Sequence, residues 1–466
     1  MKCPGGYDPT TFRPLTFHDA VPGFLAGTDT PRRYLERCLE TIEAREPVVR
    51  AWVVMNVEGA RAAADESTQR YAQGAPLSQI DGLPIGIKDL FETHDMPTQM
   101  GCEAFAGNHT GRDAPVVRAL REAGAVVLGK TVTTELGMSH PGPTTNPFDP
   151  QRTPGGSSSG SGAAIGAGMV PATIGSQVGG SIIRPASYCA NHALKPTLGA
   201  LNRGDRLALS QAVIGTHAGC PQDMWHVAAE VARRTGGDPG YPGLFGPLDT
   251  PPALRPRALA IMETECWGAM DAASQAAFEG LLAQLRRHGV EIVGRGDSAL
   301  LQSFEQSIAH AKANCGDISS YEQRWSTREL EERHPGRVSA RMLARMHKGV
   351  ALGNEGYRVR LQEREEARRR HAAIAPVADA LISFSSLGPA PVWAGDRPGQ
   401  PLAASPTGDF GFNAATSLLG VPAVSVPMLA VGAMPLGIQI VGQAHDDARV
   451  VGIARWIFET LAAVAV

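Results

Sequence analysis

The chain has 466 residues, 43% of them hydrophobic and 19% charged, with a formal net charge of -3; such a composition buries a sizeable core and excludes wholesale disorder. So small a charge draws the chain to neither nucleic acid nor an anionic membrane, and no apolar run reaches the roughly 18 residues of a spanning helix. The seven cysteines (Cys3, Cys38, Cys102, Cys189, Cys220, Cys266 and Cys315) are scattered and never spaced CxxC, which argues against a disulfide framework or structural zinc; with no apolar signal core at the N-terminus, a soluble cytoplasmic protein is expected.

In chain order, Thr30-Pro31 pairs a capping hydroxyl with proline at the first helical position, and Tyr34, Leu35, Cys38, Leu39 and Ile42 follow at helical spacing, predicting a helix to about Arg45. "AWVVM" (51–55) predicts a buried strand, "VEGARAAADESTQRYA" a helix, and "LPIGIKDLF" an apolar strand running into Lys88. "APVVRALREAG" is a short helix closed by Gly124, and "AVVLG" the strand behind it. Later come the strand "RALAIM", the helix "DAASQAAFEGLLAQLRRHG", the strand "VEIV", a mostly helical stretch from about Ser303 to Ile374, the strands "ALISF", "VPAVSVP" and "LGIQIVG", and a last helix from about Asp446. Helix–strand alternation predicts an α/β layered fold. The Gly/Pro-rich stretch 234–256 is either a domain boundary or a loop within one sheet.

Residues Gly155 to Ser161, "GGSSSGS", resemble a linker in composition, but the next residues, "AAIGAGMVPATIG", read as a small-residue helix and a strand, so an ordered loop is expected. A phosphate loop is disfavoured, since no lysine lies between Lys130 and Lys195. Gly156-Ser157-Ser158-Ser159-Gly160 satisfies G-x-S-x-G, which would make Ser158 the nucleophile of an α/β-hydrolase-type esterase. The proline-containing "NPFDPQRTP" before it is no central strand, so this stays an alternative.

The whole segment "GGSSSGSGAAIGAGMVPATIGSQVGGSIIRPASYCANHALKPT" resembles the signature of the amidase signature family, as do "GLPIGIKDLFETHDMPTQMG", "DAPVVRALREAGAVVLGKTVTTELG", "FNAATSLLGVPAVSVP" and "PLGIQIVG". The resemblance implies one α/β domain over 1–466, a mixed twisted sheet covered by helices on both faces, with a signature core at about 80–200 and a helical, specificity-bearing region at about 300–375. It also implies a cofactor-independent hydrolase of amides, with esters, aryl amides or carbamates as further substrates. Ser181 is then the acyl-forming nucleophile, Ser157 a bridging serine on a cis peptide 24 residues earlier, and Lys88 the base. The expected partner is a small-molecule amide or carbamate, without nucleic acid or membrane, for a monomer or homodimer. A non-catalytic or amidotransferase subunit remains an alternative.

The chemistry is consistent with these residue types. A serine hydroxyl attacks only if a base removes its proton, and lysine, with a reference pKa of about 10.4, is a base near neutrality only where burial disfavours its charge. Lys88 follows the apolar run Leu83, Pro84, Ile85 and Ile87, which would supply such an environment. Ser157 can accept from one partner and donate to the other, and the backbone amides of Val178, Gly179, Gly180 and Ser181 are candidate oxyanion donors. The other lysines in the motifs, Lys130 and Lys195, read as structural, and Cys189 as a buried small hydrophobe. The thirteen histidines show no HxH or HExxH spacing, so no metal is expected. Met138 and Gln177 are candidate pocket residues, with Leu136, Phe384 and Trp393 as further apolar candidates, on loops around 135–145, 321–356 and "SFSSLGPAPVW". Gln177 and Ile183 depart from the family's aspartate and arginine, with Arg184 displaced by one; the loss of both charges reads as a coupled change. Ser159, in place of a common glycine, is expected to alter the loop.

Overall fold

A computed structural model describes residues 6–205, 209–396 and 400–466; Lys2 and Cys3 lie outside them. The described strands are β1 (Trp52–Met55), β2 (Pro84–Lys88), β3 (Val126–Thr131), β4 (Ala172–Gln177), β5 (His192–Lys195), β6 (Val213–Ala218), β7 (Ala258–Ile261), β8 (Glu291–Val293), β9 (Ala380–Phe384), β10 (Ala423–Val431), β11 (Met434–Val441) and β12 (Val464–Ala465). They form one sheet in the order β1-β3-β2-β4-β6-β5-β10-β11-β9-β7-β8, with β12 beside β10. Both ends of the loop-rich stretch 234–256 therefore lead into the same sheet. Pairing is parallel for β3-β2-β4 and for β9-β7-β8 and antiparallel through the centre, from β4 to β9.

Local chemistry accounts for many element ends. Thr30 accepts from the Arg33 N–H at 3.1 Å and Pro31 opens the helix, which runs to Val49, past the expected end at Arg45. Pro47 falls in its last turn; without an N–H it forfeits the bond to the carbonyl four residues back, and the helix ends two residues later. Asn56 caps the helix Val57–Ala72, and Gly124, at φ +86°, ends the turn after Pro115–Glu122.

Some elements lack a legible pattern. β5 and β6 are buried at every position, as are the helices Ile183–Tyr188 and Gly411–Leu419, so they alternate neither at period two nor at 3.6. Burial on all sides removes the polar face, and even His192, Lys195, His217 and Arg184 lie inside.

Helices cover both faces. The helices Pro115–Glu122, Pro221–Thr235, Ala272–Arg287 and Asp447–Thr460 pack on Ile85, Ile174, Ile382 and Ile440. The helices Ala299–Ser307, Ala311–Arg333 and Gly411–Leu419 pack on the other face against Ala193, Val213, Ala260 and Val441. The cysteines among the described residues are free and buried. No helix among the described residues is long and apolar enough to cross a membrane.

The short helix Ser159–Gly166 delivers the glycine-serine loop to the sheet. Its Gly160 lies so close to β3 that an added Cβ would sit 2.2 Å from the Ala51 carbonyl oxygen and 2.5 Å from the Val132 nitrogen. Both are backbone atoms, so the helix itself must move. Gly160→Ala is expected to destabilise the fold by about 3 kcal/mol, read as a lowered urea midpoint, whereas Gly168→Ala, with open space and strain alone, is expected to lose less.

Candidate active site

Lys88 ends β2, beside Ser176 on β4, and is fully buried. Its Nζ lies 2.7 Å from Ser157 Oγ and 2.9 Å from Ser176 Oγ, and donates to the Ser176 carbonyl at 3.3 Å. Among the described residues it has no carboxylate partner, and burial alone holds its pKa well below 10.5. The neighbouring His217, itself buried, is pushed down to about 3 by desolvation and then by the Lys88 charge, so it is neutral and adds no second positive charge. Lys130, on the adjacent β3, is equally buried but donates to Asp89 Oδ1 at 2.9 Å and Thr98 Oγ1 at 2.8 Å, a structural ion pair. Lys195 donates to the Pro196 carbonyl at 3.3 Å and is pushed down to about 7 by burial. It lines neither of the cavities that adjoin the serines.

Ser157 follows a cis Gly156–Ser157 peptide. The carbonyls on either side of its Cα are held, Gly156 O by Arg184 Nη2 at 2.6 Å and Ser157 O by the Thr134 N–H at 3.1 Å. Ser158 is wholly buried, its Oγ donating to the Ser176 carbonyl at 3.2 Å and accepting from the Ser176 N–H at 3.3 Å. This corrects the G-x-S-x-G alternative: the Ser158 hydroxyl is tied into β4, lines neither cavity that adjoins the serines and, among the described residues, bonds to no basic side chain. Ser159 instead donates to the Gly155 carbonyl at 2.8 Å, closing the loop on itself. The Cys189 thiol is buried, its pKa raised by desolvation, as a small hydrophobe requires.

Ser181 ends a tight turn after β4 and lines a cavity of about 100 Å³. It is no helix cap, since the following helix makes no side-chain cap bond. The four carbonyls of residues 178–181 are all engaged: Val178 O by Cys315 Sγ at 3.5 Å, Gly179 O by Ser417 Oγ at 2.7 Å, Gly180 O by the Arg184 N–H at 2.9 Å and Ser181 O by the Ser158 N–H at 3.3 Å. None of the four N–H groups donates to a described residue. A turn held by its oxygens presents its nitrogens, the arrangement an oxyanion site requires. A Cβ at Gly180 would sit 2.5 Å from Asn413 Oδ1 and 2.8 Å from Arg184 Nη1, so a side chain there displaces both.

Of the expected pocket residues, Met138 lines both this cavity and a larger one of about 330 Å³ that reaches Ser157 and Ser176. Leu136 lines the larger one. Gln177 does not belong to the pocket: wholly buried, its Oε1 accepts from the Ile182 and Ile183 N–H groups at 2.8 and 3.0 Å, and its Nε2 donates to Ser417 at 3.0 Å. The two departures from the family pattern thus touch, Gln177 holding the backbone of Ile183, whose side chain is in the core. Phe384 packs with Trp267, Phe278 and Phe412 in the core, and Trp393 lines neither cavity. From the helical region the smaller cavity receives Cys315, Ser319 and Arg345. Ser176, Ser417 and Arg345 carry no sequence signal beyond their type; only strand register and helix packing bring them here.

Fold and site together define an α/β protein of amidase-signature architecture. The chain belongs to the amidase family: the family model described as "Amidase" matches residues 33–451. It is 31% identical over 474 residues, covering 94% of this chain and 95% of the relative, to a glutamyl-tRNA(Gln) amidotransferase subunit of Chloroflexus aggregans (strain MD-66 / DSM 9485). A crystal structure of an amidase superposes with a TM-score of 0.81 at 26% identity, covering 96% of this chain and all of that one. The peptide amidase of Stenotrophomonas maltophilia shares the fold, with a TM-score of 0.73 at 24% identity over 96% of both chains. The chain is accordingly an amidase-family enzyme of the C–N-cleaving, hydrolase or amidotransferase type.

Gln177→Leu removes the acceptor of two buried N–H groups and is expected to cost about 2–4 kcal/mol, measured as a shift of the urea midpoint with an unchanged slope.

Proposed function

We propose that the chain is a serine amidohydrolase that cleaves a linear amide C–N bond through an acyl-enzyme on Ser181, with Ser157 and Lys88 as proton relay. The observation that carries this reading is a wholly buried lysine 2.7 Å from Ser157 Oγ with no carboxylate, among the described residues, to keep it charged. The relatives support amide chemistry, and the acyl step serves aryl amides and carbamates equally.

In this mechanism neutral Lys88 takes the Ser157 proton as Ser157 takes that of Ser181. The Ser181 Oγ–C bond forms, and the carbonyl electron pair moves onto an oxygen facing the N–H groups of Val178 to Ser181. Collapse breaks the C–N bond, and the leaving nitrogen takes its proton from Ser157, which Lys88 reprotonates. Water then repeats the sequence on the acyl-enzyme, releasing the carboxylic acid and free Ser181.

A second reading, as one subunit of an amidotransferase, draws on the name of the 31%-identical relative. A net charge of -3 offers little attraction to a nucleic acid. Multiple-turnover release of amine and acid by the isolated chain supports the hydrolase; activity only with added subunits supports the transferase.

Intact-mass measurement after fluorophosphonate treatment is expected to show one label, mapping to Ser181, and labelling about 10²- to 10⁴-fold slower in Lys88→Ala. Label elsewhere, or none, overturns the reading. Because only the neutral amine accepts a proton and burial lowers the Lys88 pKa, the labelling rate is expected to rise with pH and level off below pH 10.5. An unaltered rate and profile in Lys88→Ala count against lysine as base.

A further inference from the structure

Away from the serines, a cavity of about 240 Å³ opens where β5 and β11 end and β10 begins. It shares no lining residue with the two cavities described above. Three of its lining side chains, Leu198, Leu419 and Val421, are buried and apolar. Another is Tyr241, from the Gly/Pro-rich stretch 234–256, whose ring lies so close over Gly199 that a Cβ there would sit 2.1 Å from Tyr241 Cγ. The last turns of the helix Ala340–Ala373 contribute Arg368 and His371.

Acceptors around this cavity are taken, whereas donors are left over. At the end of the helix Gly411–Leu419, Thr416 O accepts from the Gly420 N–H at 3.2 Å, Leu418 O from Arg368 Nε at 3.3 Å and Gly420 O from the Leu198 N–H at 2.9 Å. Arg368 also pairs through Nη1 with Glu365 at 2.9 Å, but its Nη2 is buried without a partner among the described residues. That nitrogen lies beside Gly420, itself a lining residue, where an added Cβ would sit 3.4 Å from it. His371 Nε2 is likewise buried without a partner, and burial pushes the ring down to about 4, so it is neutral. A helix cap and a surface ion pair occupy two of the three guanidinium nitrogens; the third calls for an acceptor from outside.

The other charges nearby have partners. Asp447 accepts from the Thr197 N–H at 2.8 Å and from Thr197 Oγ1 at 2.6 Å, and its charge acts on buried Lys195, whose Nζ donates to Pro196 O at 3.3 Å. Glu365 is shared between Arg368 and Arg364. His445 donates its N–H to Thr197 Oγ1 at 3.0 Å and sets its ring edge-on to Phe245. Among the described residues no carboxylate lines the cavity. Desolvation, and then Arg364, disfavour the Arg368 charge, a cost that a negatively charged acceptor offsets.

Guanidinium meets a carboxylate with paired N–H groups, and apolar walls around it suit a hydrocarbon body. We infer that this cavity is a second ligand site, taking a small carboxylate with an apolar body. The carboxylate meets Arg368 Nη2, and the body lies among Leu198, Leu419, Val421 and the Tyr241 ring. Nothing in this depends on the role of Ser181.

Equilibrium dialysis with benzoate, and with benzamide as its neutral counterpart, tests it. The wild type is expected to bind benzoate saturably and about tenfold more tightly than benzamide. Arg368→Gln is expected to weaken benzoate binding about 10- to 100-fold and Tyr241→Ala about threefold, whereas Arg345→Gln, in the cavity beside Ser181, leaves it unchanged. In the wild type, benzoate is expected to slow hydrogen exchange in 419–421 and 443–445, a reading that stands even if the variants fail to fold. Absence of saturable binding, or equal affinity for benzamide, overturns the inference. So does binding lost in Arg345→Gln but kept in Arg368→Gln, or exchange slowed at 178–181 alone, since either puts the benzoate beside the serines.

Discussion

The site depends on a positive charge that has nowhere to go. Lys88 and Lys130 lie on neighbouring parallel strands, both fully buried, and differ in one respect. Lys130 has Asp89 at 2.9 Å and stays an ion pair. Lys88 has two serine hydroxyls and a carbonyl. Burial penalises the ammonium in both cases, but only for Lys130 does a carboxylate oppose that penalty. The unpaired lysine is therefore the one whose charge the fold disfavours, and the role proposed for it as a base rests on that.

The same logic of partners given and withheld shapes the turn after β4. Its carbonyls are fixed from four directions: by Cys315 on the helix Ala311–Arg333, by Ser417 on the helix Gly411–Leu419, by Ser158 in the glycine-serine loop and by Arg184 one turn on. Gln177 holds the following two N–H groups. The N–H groups left over are those of residues 178–181, beside Ser181. A donor array built this way is preorganised, because its oxygens, and not the reacting molecule, hold the backbone in position. Arg184 links the two halves of the site, bonding to Gly180 through its backbone and to the Gly156 carbonyl through its side chain.

Beyond the reacting atoms, the two sides of the site contrast in electrostatics. The larger cavity combines aliphatic side chains with the charged Glu92, Arg112, Asp113, Arg203 and Asp205, whereas the smaller holds Arg184 and Arg345, which hydroxyls and carbonyls orient. Met138 belongs to both walls and separates them. Since it stands on the segment after β3 whose N–H at Thr134 holds Ser157 O, the partition and the serine share one support.

Much of this was legible in the chain itself. Thr30-Pro31, the helix Val57–Ala72 and the apolar approach to Lys88 follow from local chemistry, which needs no distant partner to act. The motif residues Lys88, Ser157 and Ser181 follow from their spacing and resemblance. The fully buried β5 and β6 were not legible: β2, β9 and β11 are as deeply buried but read as apolar runs, whereas His192, Lys195, Thr216 and His217 interrupt β5 and β6. Nor was the role of Gln177, which reads as a pocket residue because it precedes the serine turn, yet points into the protein to satisfy two amides. Ser158 satisfies a five-residue motif but is consumed by Ser176, a bond that depends on where β4 runs. Arg345 has no motif at all: it reaches the cavity beside Ser181 from far along the chain, by the packing of one helix on another. What the sequence alone determined is which groups can do chemistry. Which of them are left without a partner, and therefore free to do it, only the tertiary structure decided, because partnership is set by contacts between residues far apart in the chain.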